Sequence, residues 1–287
     1  MYGTRWGLSI PFAQVLRIDP SFLVIEQAMT ISVGLAALAL IMYSFSRLVF
    51  VRFSLSYMLL IATVSSAPLV VQIFNGGMAQ AWALPGIGLL SFGFLLTLML
   101  KTKSELTPVA VKGLVALSCF GWLANAVTYI DSSMTLAAVF LVSILFLALF
   151  TNRDISISLA KTTFYGGLLA AIVVTPYSFA AISTMSIRLK LASGTGIIFD
   201  HWPLPSEMLG LINIWTGEAG KSRDPLIMLL SILFSVAIIA TVLRGIPSKN
   251  LWDRSVSLLG LSILLVCGAI ALWASQTSLG SNYSYVK

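Results

Sequence analysis

Most of this chain consists of apolar runs about 17 to 25 residues long, each wide enough to cross a bilayer. The segments between and beyond the runs hold most of the charge. Runs of this kind restrict the fold severely, because backbone amides in hydrocarbon must be satisfied within the segment or by a closed sheet. Charged residues are only 9% of the chain, against about 25% in an average soluble protein. The expected fold class is therefore all-α: a polytopic integral membrane protein with about eight transmembrane helices.

The eight spans are expected near 22–46, 54–74, 79–100, 108–130, 134–150, 161–184, 225–244 and 255–275. Asn75-Gly76-Gly77 separates the second from the third, a strong turn signal. A second tight turn is expected at Asp131-Ser132-Ser133. Pro85 and Pro176 fall inside spans, where neighbouring helices can satisfy the carbonyls they free. The whole of 1–287 reads as one membrane domain. Residues 1–20 interleave Trp6, Leu8, Ile10, Phe12 and Val15 with Arg5, Gln14 and Arg17, a pattern suited to a short helix in the outer interface.

Orientation follows from the basic residues. Arg47, Arg52, Lys101, Lys103, Lys112, Arg153, Lys161, Arg244, Lys249 and Arg254 all fall in alternate connections, whereas the turns at 75–77 and 131–133 hold none. The positive-inside rule puts the first set in the cytosol, with both termini and a long 185–224 loop outside. The formal charge of +7 would suggest nucleic acid in a soluble protein. Here the cations are scattered singly between spans, so topology and anionic headgroups explain them, and no nucleic-acid partner is expected.

Chemistry is more faintly written. Cys119 and Cys267 lie inside apolar runs, and no CxxC, HExxH or GxSxG occurs. His201 is the sole histidine. Beside Asp200 it could serve as a general base, but one His without a second His or Cys makes no ordinary zinc site. Glu26 lies about one turn inside the first span, where it either lines a cavity, pairs with Arg17, or sits at interface depth. Gln72 and Asn125 are expected to hydrogen-bond across helices, and Lys112 to snorkel. On the outer face, Asn75, Gln80 and Trp82 combine amides with an indole, a set suited to sugar hydroxyls and the sugar's C–H face. Trp202, in the Phe199–Pro205 stretch, and Asp131 belong to the same face.

Three stretches in order carry a resemblance. They are Tyr2-Gly3-Thr4-Arg5-Trp6-Gly7-Leu8 leading to Tyr43-Ser44-Phe45-Ser46-Arg47, the Phe74–Pro85 hairpin, and Trp202-Pro203-Leu204-Pro205 with Leu209-Gly210-Leu211. This order resembles the middle of the GT-C-type polytopic glycosyltransferases of bacterial envelopes. The resemblance implies a polyprenyl-phosphate-linked sugar donor at the outer face of a bacterial inner membrane. It also implies Arg5 or Arg17 near the phosphate and, if the chain is an enzyme of this type, room for a divalent cation; no cofactor is evident from the residues themselves. The family's catalytic acid sits in an outer loop that follows a first helix. No position here inherits it directly, so Asp19, Asp200 and His201 stand only as candidates, and a fragment or degenerate relative is equally in view. Two other classes fit the composition: a non-enzymatic membrane subunit holding a protein partner, and a small-solute or lipid transporter.

Overall fold

The computed structural model describes residues 78–128, 130–191 and 225–276, together with Ser32, Ala36 and Leu40. The elements are α1 (Met78–Thr102), α2 (Pro108–Thr128), α3 (Ile130–Phe150), α4 (Arg153–Leu191), α5 (Pro225–Gly245) and α6 (Leu251–Gln276). Among the described residues, all six are long and apolar enough to cross a membrane. The first two expected spans, the 1–20 interfacial helix and the Asn75-Gly76-Gly77 turn lie outside the described residues, although Ser32, Ala36 and Leu40 are helical.

Two expectations need correction. Asp131-Ser132-Ser133 does not form a connection, because α3 begins at Ile130 and only Tyr129 separates it from α2. Asp and Ser favour helix starts, where a carboxylate meets the positive end of the helix dipole, so these residues open α3 rather than break it. The long connection expected at 185–224 also begins later than 185. Helix α4 continues through Met185-Ser186-Ile187-Arg188-Leu189-Lys190-Leu191, which contains neither glycine nor proline to stop it. With 39 residues, α4 is about 58 Å long, against a hydrocarbon core of about 30 Å.

The short connections are built from local hydrogen bonds. At the end of α1, Glu105 N–H donates to the Leu100 carbonyl at 2.8 Å and Ser104 N–H to that of Lys101 at 3.2 Å. This is a Schellman ending, with Ser104 left-handed at φ 59° where glycine is usual. The chain then enters α2 directly. Ala110 N–H donates to Thr107 Oγ1 at 3.2 Å, and Pro108 takes the first helical position, where its missing N–H costs nothing. Asn152 and Asn250 cap α4 and α6 in the same way, accepting from Asp154 N–H at 2.8 Å and Trp252 N–H at 3.0 Å.

Two compact units divide the chain, Met1–Leu136 with Ile157–Met185, and Ala137–Ser156 with Ser186–Lys287. In the first, α1 and α2 form an antiparallel hairpin whose backbones touch. A Cβ placed on Gly86 would stand 2.8 Å from the Asn125 amide nitrogen and 3.0 Å from the Gly121 carbonyl oxygen. On Gly121 it would meet the Leu90 amide nitrogen at 3.0 Å. The middle of α4 packs on α2 just as closely, since a Cβ on Gly166 would lie 2.6 Å from that of Ser118. Lipid tails are as apolar as leucine, so close approach through small residues is what holds such helices together. In the second unit α5 and α6 pair through Gly260 against Val242 and Gly245 against Ser257.

Candidate functional site

Buried hydroxyls are the first polar groups to account for. Thr97, Ser143, Ser235, Ser255 and Ser262 are each almost wholly buried. Each donates to the carbonyl four residues earlier in its own helix, at 2.7 to 2.8 Å. A hydroxyl satisfied in this way escapes the cost of a bare polar group in an apolar interior. These side chains serve the helices themselves. Asn125 is also fully buried, at the point where α2 crosses Gly86.

The hairpin register gathers the sequence candidates at one end. Gly93 lies against Leu117, and Gly86 against Gly121 and Asn125. Continuing this antiparallel register brings the first turn of α1, with Gln80 and Trp82, level with the end of α2. Asp131 follows there in the first turn of α3, since only Tyr129 intervenes. The helix positions of Gln80, Trp82 and Asp131 therefore fall at one end of the first unit, together with two helix starts, which carry partial positive charge. The opposite end holds Lys101, Lys103 and Lys112, with Lys103 and Lys112 exposed. The remaining candidates, Arg5, Trp6, Arg17, Asp19, Glu26, Asn75, Asp200, His201 and Trp202, lie outside the described residues.

Two residues without a functional role in the sequence reading belong with this end. Ser133, in the first turn of α3, buries its Oγ without a hydrogen-bond partner among the described residues. Trp122 lies about two turns below, its indole Nε1 3.5 Å from where a Cβ on Gly167 would stand. Ser133 carried only a turn signal and Trp122 none, because their significance depends on which way α2 and α3 face. Cys119 and Cys267 are both half-buried. No group of three or more His, Cys, Asp or Glu side chains suited to a metal occurs among the described residues.

Apolar helices of membrane-crossing length, joined by capped turns and packed through glycines, are the build of a multi-pass helical membrane protein. No family model, curated protein or solved structure matches the chain.

Proposed function

We propose that this chain is a GT-C-like membrane glycosyltransferase, or a piece or catalytically degenerate relative of one. It handles a polyprenyl-phosphate-linked sugar at the outer face of a bacterial inner membrane. The observation that carries this reading is the gathering of Gln80, Trp82 and Asp131 at the end of the α1–α2 hairpin away from its lysines. Amide and carboxylate groups hydrogen-bond sugar hydroxyls, and an indole covers the sugar's C–H face. Arg5 or Arg17 neutralises the donor phosphate through paired N–H groups. A carboxylate is needed to activate the acceptor hydroxyl; Asp19 and Asp200 are the candidates, with Glu26 and Asp131 the other acids expected on the outer side. The experiment is transfer from a polyprenyl-phosphate sugar to lipid or glycan acceptors in membranes carrying the full chain. Replacing Asp19, Glu26, Asp131 and Asp200 singly should abolish transfer in at least one case. Full transfer by all four variants would rule out catalysis by this chain.

A second reading, a non-enzymatic subunit that holds a membrane partner, is favoured by α5. Among the described side chains of α5 only Ser231 and Ser235 are buried, while Leu229, Leu233, Phe234, Val236 and Leu243 stand uncovered. A stoichiometric partner copurifying with an inactive chain, and lost on polar substitution at Leu233 and Val236, would support it.

A further inference from the structure

The turn between α5 and α6 has an unusual combination of charge and burial. The apolar stretches Met228–Gly245 and Leu251–Ile270 flank it, and their 18 and 20 residues match the hydrocarbon thickness. Ile246–Asn250 therefore lies at the depth of the lipid phosphates. Arg244 ends α5, Lys249 stands in the turn and Arg254 opens α6, with Asp253 the one acid among them. Arg244, Lys249 and Asp253 are exposed; Arg254 is half-buried.

Register explains that burial. Gly245 meets Ser257 and Gly260 meets Val242, so Arg254, one turn nearer the start of α6, comes level with the turn itself. Asn250 fixes the local backbone, its side chain accepting from Trp252 N–H and its carbonyl from Arg254 N–H, both at 3.0 Å. The Arg254 Nε–H is buried with no acceptor among the described residues. Guanidinium is never deprotonated at accessible pH, so this donor carries charge and needs an anionic acceptor more than a neutral amide would.

We propose that the α5–α6 turn binds the phosphate of an anionic phospholipid headgroup. Arg254 supplies the guanidinium fork as donor and counter-charge, while Arg244 and Lys249 attract the headgroup from the rim. Guanidinium matches phosphate oxygens in paired geometry, which an ammonium group does not. The net positive turn disfavours zwitterionic headgroups, whose own cation would be brought near Arg244 and Lys249.

Native mass spectrometry of the full chain in micelles doped with equal phosphatidylglycerol and phosphatidylcholine tests this directly. Wild type should retain phosphatidylglycerol about fivefold over phosphatidylcholine, the preference that one well-placed surface cation provides. R254Q should bring the ratio close to one. R254K, which keeps the charge but loses Nε and the fork, should fall between. K103Q, at the exposed α1–α2 turn, should behave as wild type. Equal retention of both lipids by wild type would overturn the proposal, as would an undiminished ratio in R254Q or R254K. Loss of preference in K103Q would mean that general charge is responsible. Displacement of the lipid by millimolar inorganic phosphate would mean that the turn takes a free anion, and would equally refute a lipid site. Unchanged α-helical circular dichroism in R254K keeps its result interpretable if R254Q misfolds.

Discussion

Replacing Gly86 by alanine tests the backbone contact on which the α1–α2 hairpin depends. The added methyl would stand 2.8 Å from the Asn125 nitrogen and 3.0 Å from the Gly121 oxygen, both main-chain atoms that no rotamer change can move. Restoring ordinary contact near 3.5 Å requires the two helices to part by roughly 0.7 Å. Overpacking of this kind costs about 1–3 kcal/mol. Alanine also gains about 1 kcal/mol of helix propensity over glycine. Gly113, on the same hairpin, separates the two effects, because a Cβ there meets nothing within 4 Å. G113A should therefore stabilise by up to about 1 kcal/mol, and the gap between the two variants isolates the packing term. A gap of about 2 kcal/mol corresponds to roughly 4–8 °C in the unfolding midpoint. The midpoint is followed by circular dichroism of the full chain in mild detergent. If G86A melts at or above G113A, the two backbones are not in contact and the register of the hairpin is wrong.

Four further outcomes are expected. The neighbours Gly166 and Gly167 should differ: G166A loses about 1–2 kcal/mol by pressing on Ser118 and Cys119, whereas G167A, at ordinary contact with Trp122, is neutral or mildly stabilising in the same melt. S104G should raise stability by about 0.5–1 kcal/mol, since the φ of 59° is strained for serine and free for glycine. N152A and N250A should each lower it by about 1 kcal/mol through loss of a helix cap, measurable as a lower midpoint or as faster hydrogen exchange in the first turns of α4 and α6. With Cys119 and Cys267 replaced, an impermeant thiol reagent added to intact cells should label D131C and spare K103C; the reverse pattern would invert the topology and remove the sugar-facing end proposed above.

Much of the helical layout was legible from hydropathy, because the length of an apolar run and the cost of a bare amide in lipid act along the chain, one residue after another. Helices α1, α2, α3, α5 and α6 follow their expected spans to within a few residues. The structure departs from hydropathy where a residue's effect depends on its position in a helix. Asp131-Ser132-Ser133 has the composition of a turn, but the same residues suit a helix start, and α3 uses them so. The end of α4 was missed for a related reason. Charge at Arg188 and Lys190 marks the end of the apolar stretch but does not end a helix.

What the chain's own residues determined is that it crosses a membrane repeatedly as helices, and where its polar connections fall. Tertiary structure alone decided that Gly86, Gly121 and Gly166 are contact points while Gly113 faces open space. It also decided that the Arg254 Nε–H is buried without an acceptor among the described residues. The physical reason lies in the solvent. In water, a helix marks its inner face by being apolar on one side, but in lipid every face is apolar, so the rotation of each helix leaves little trace in hydropathy and is set by the shapes that meet.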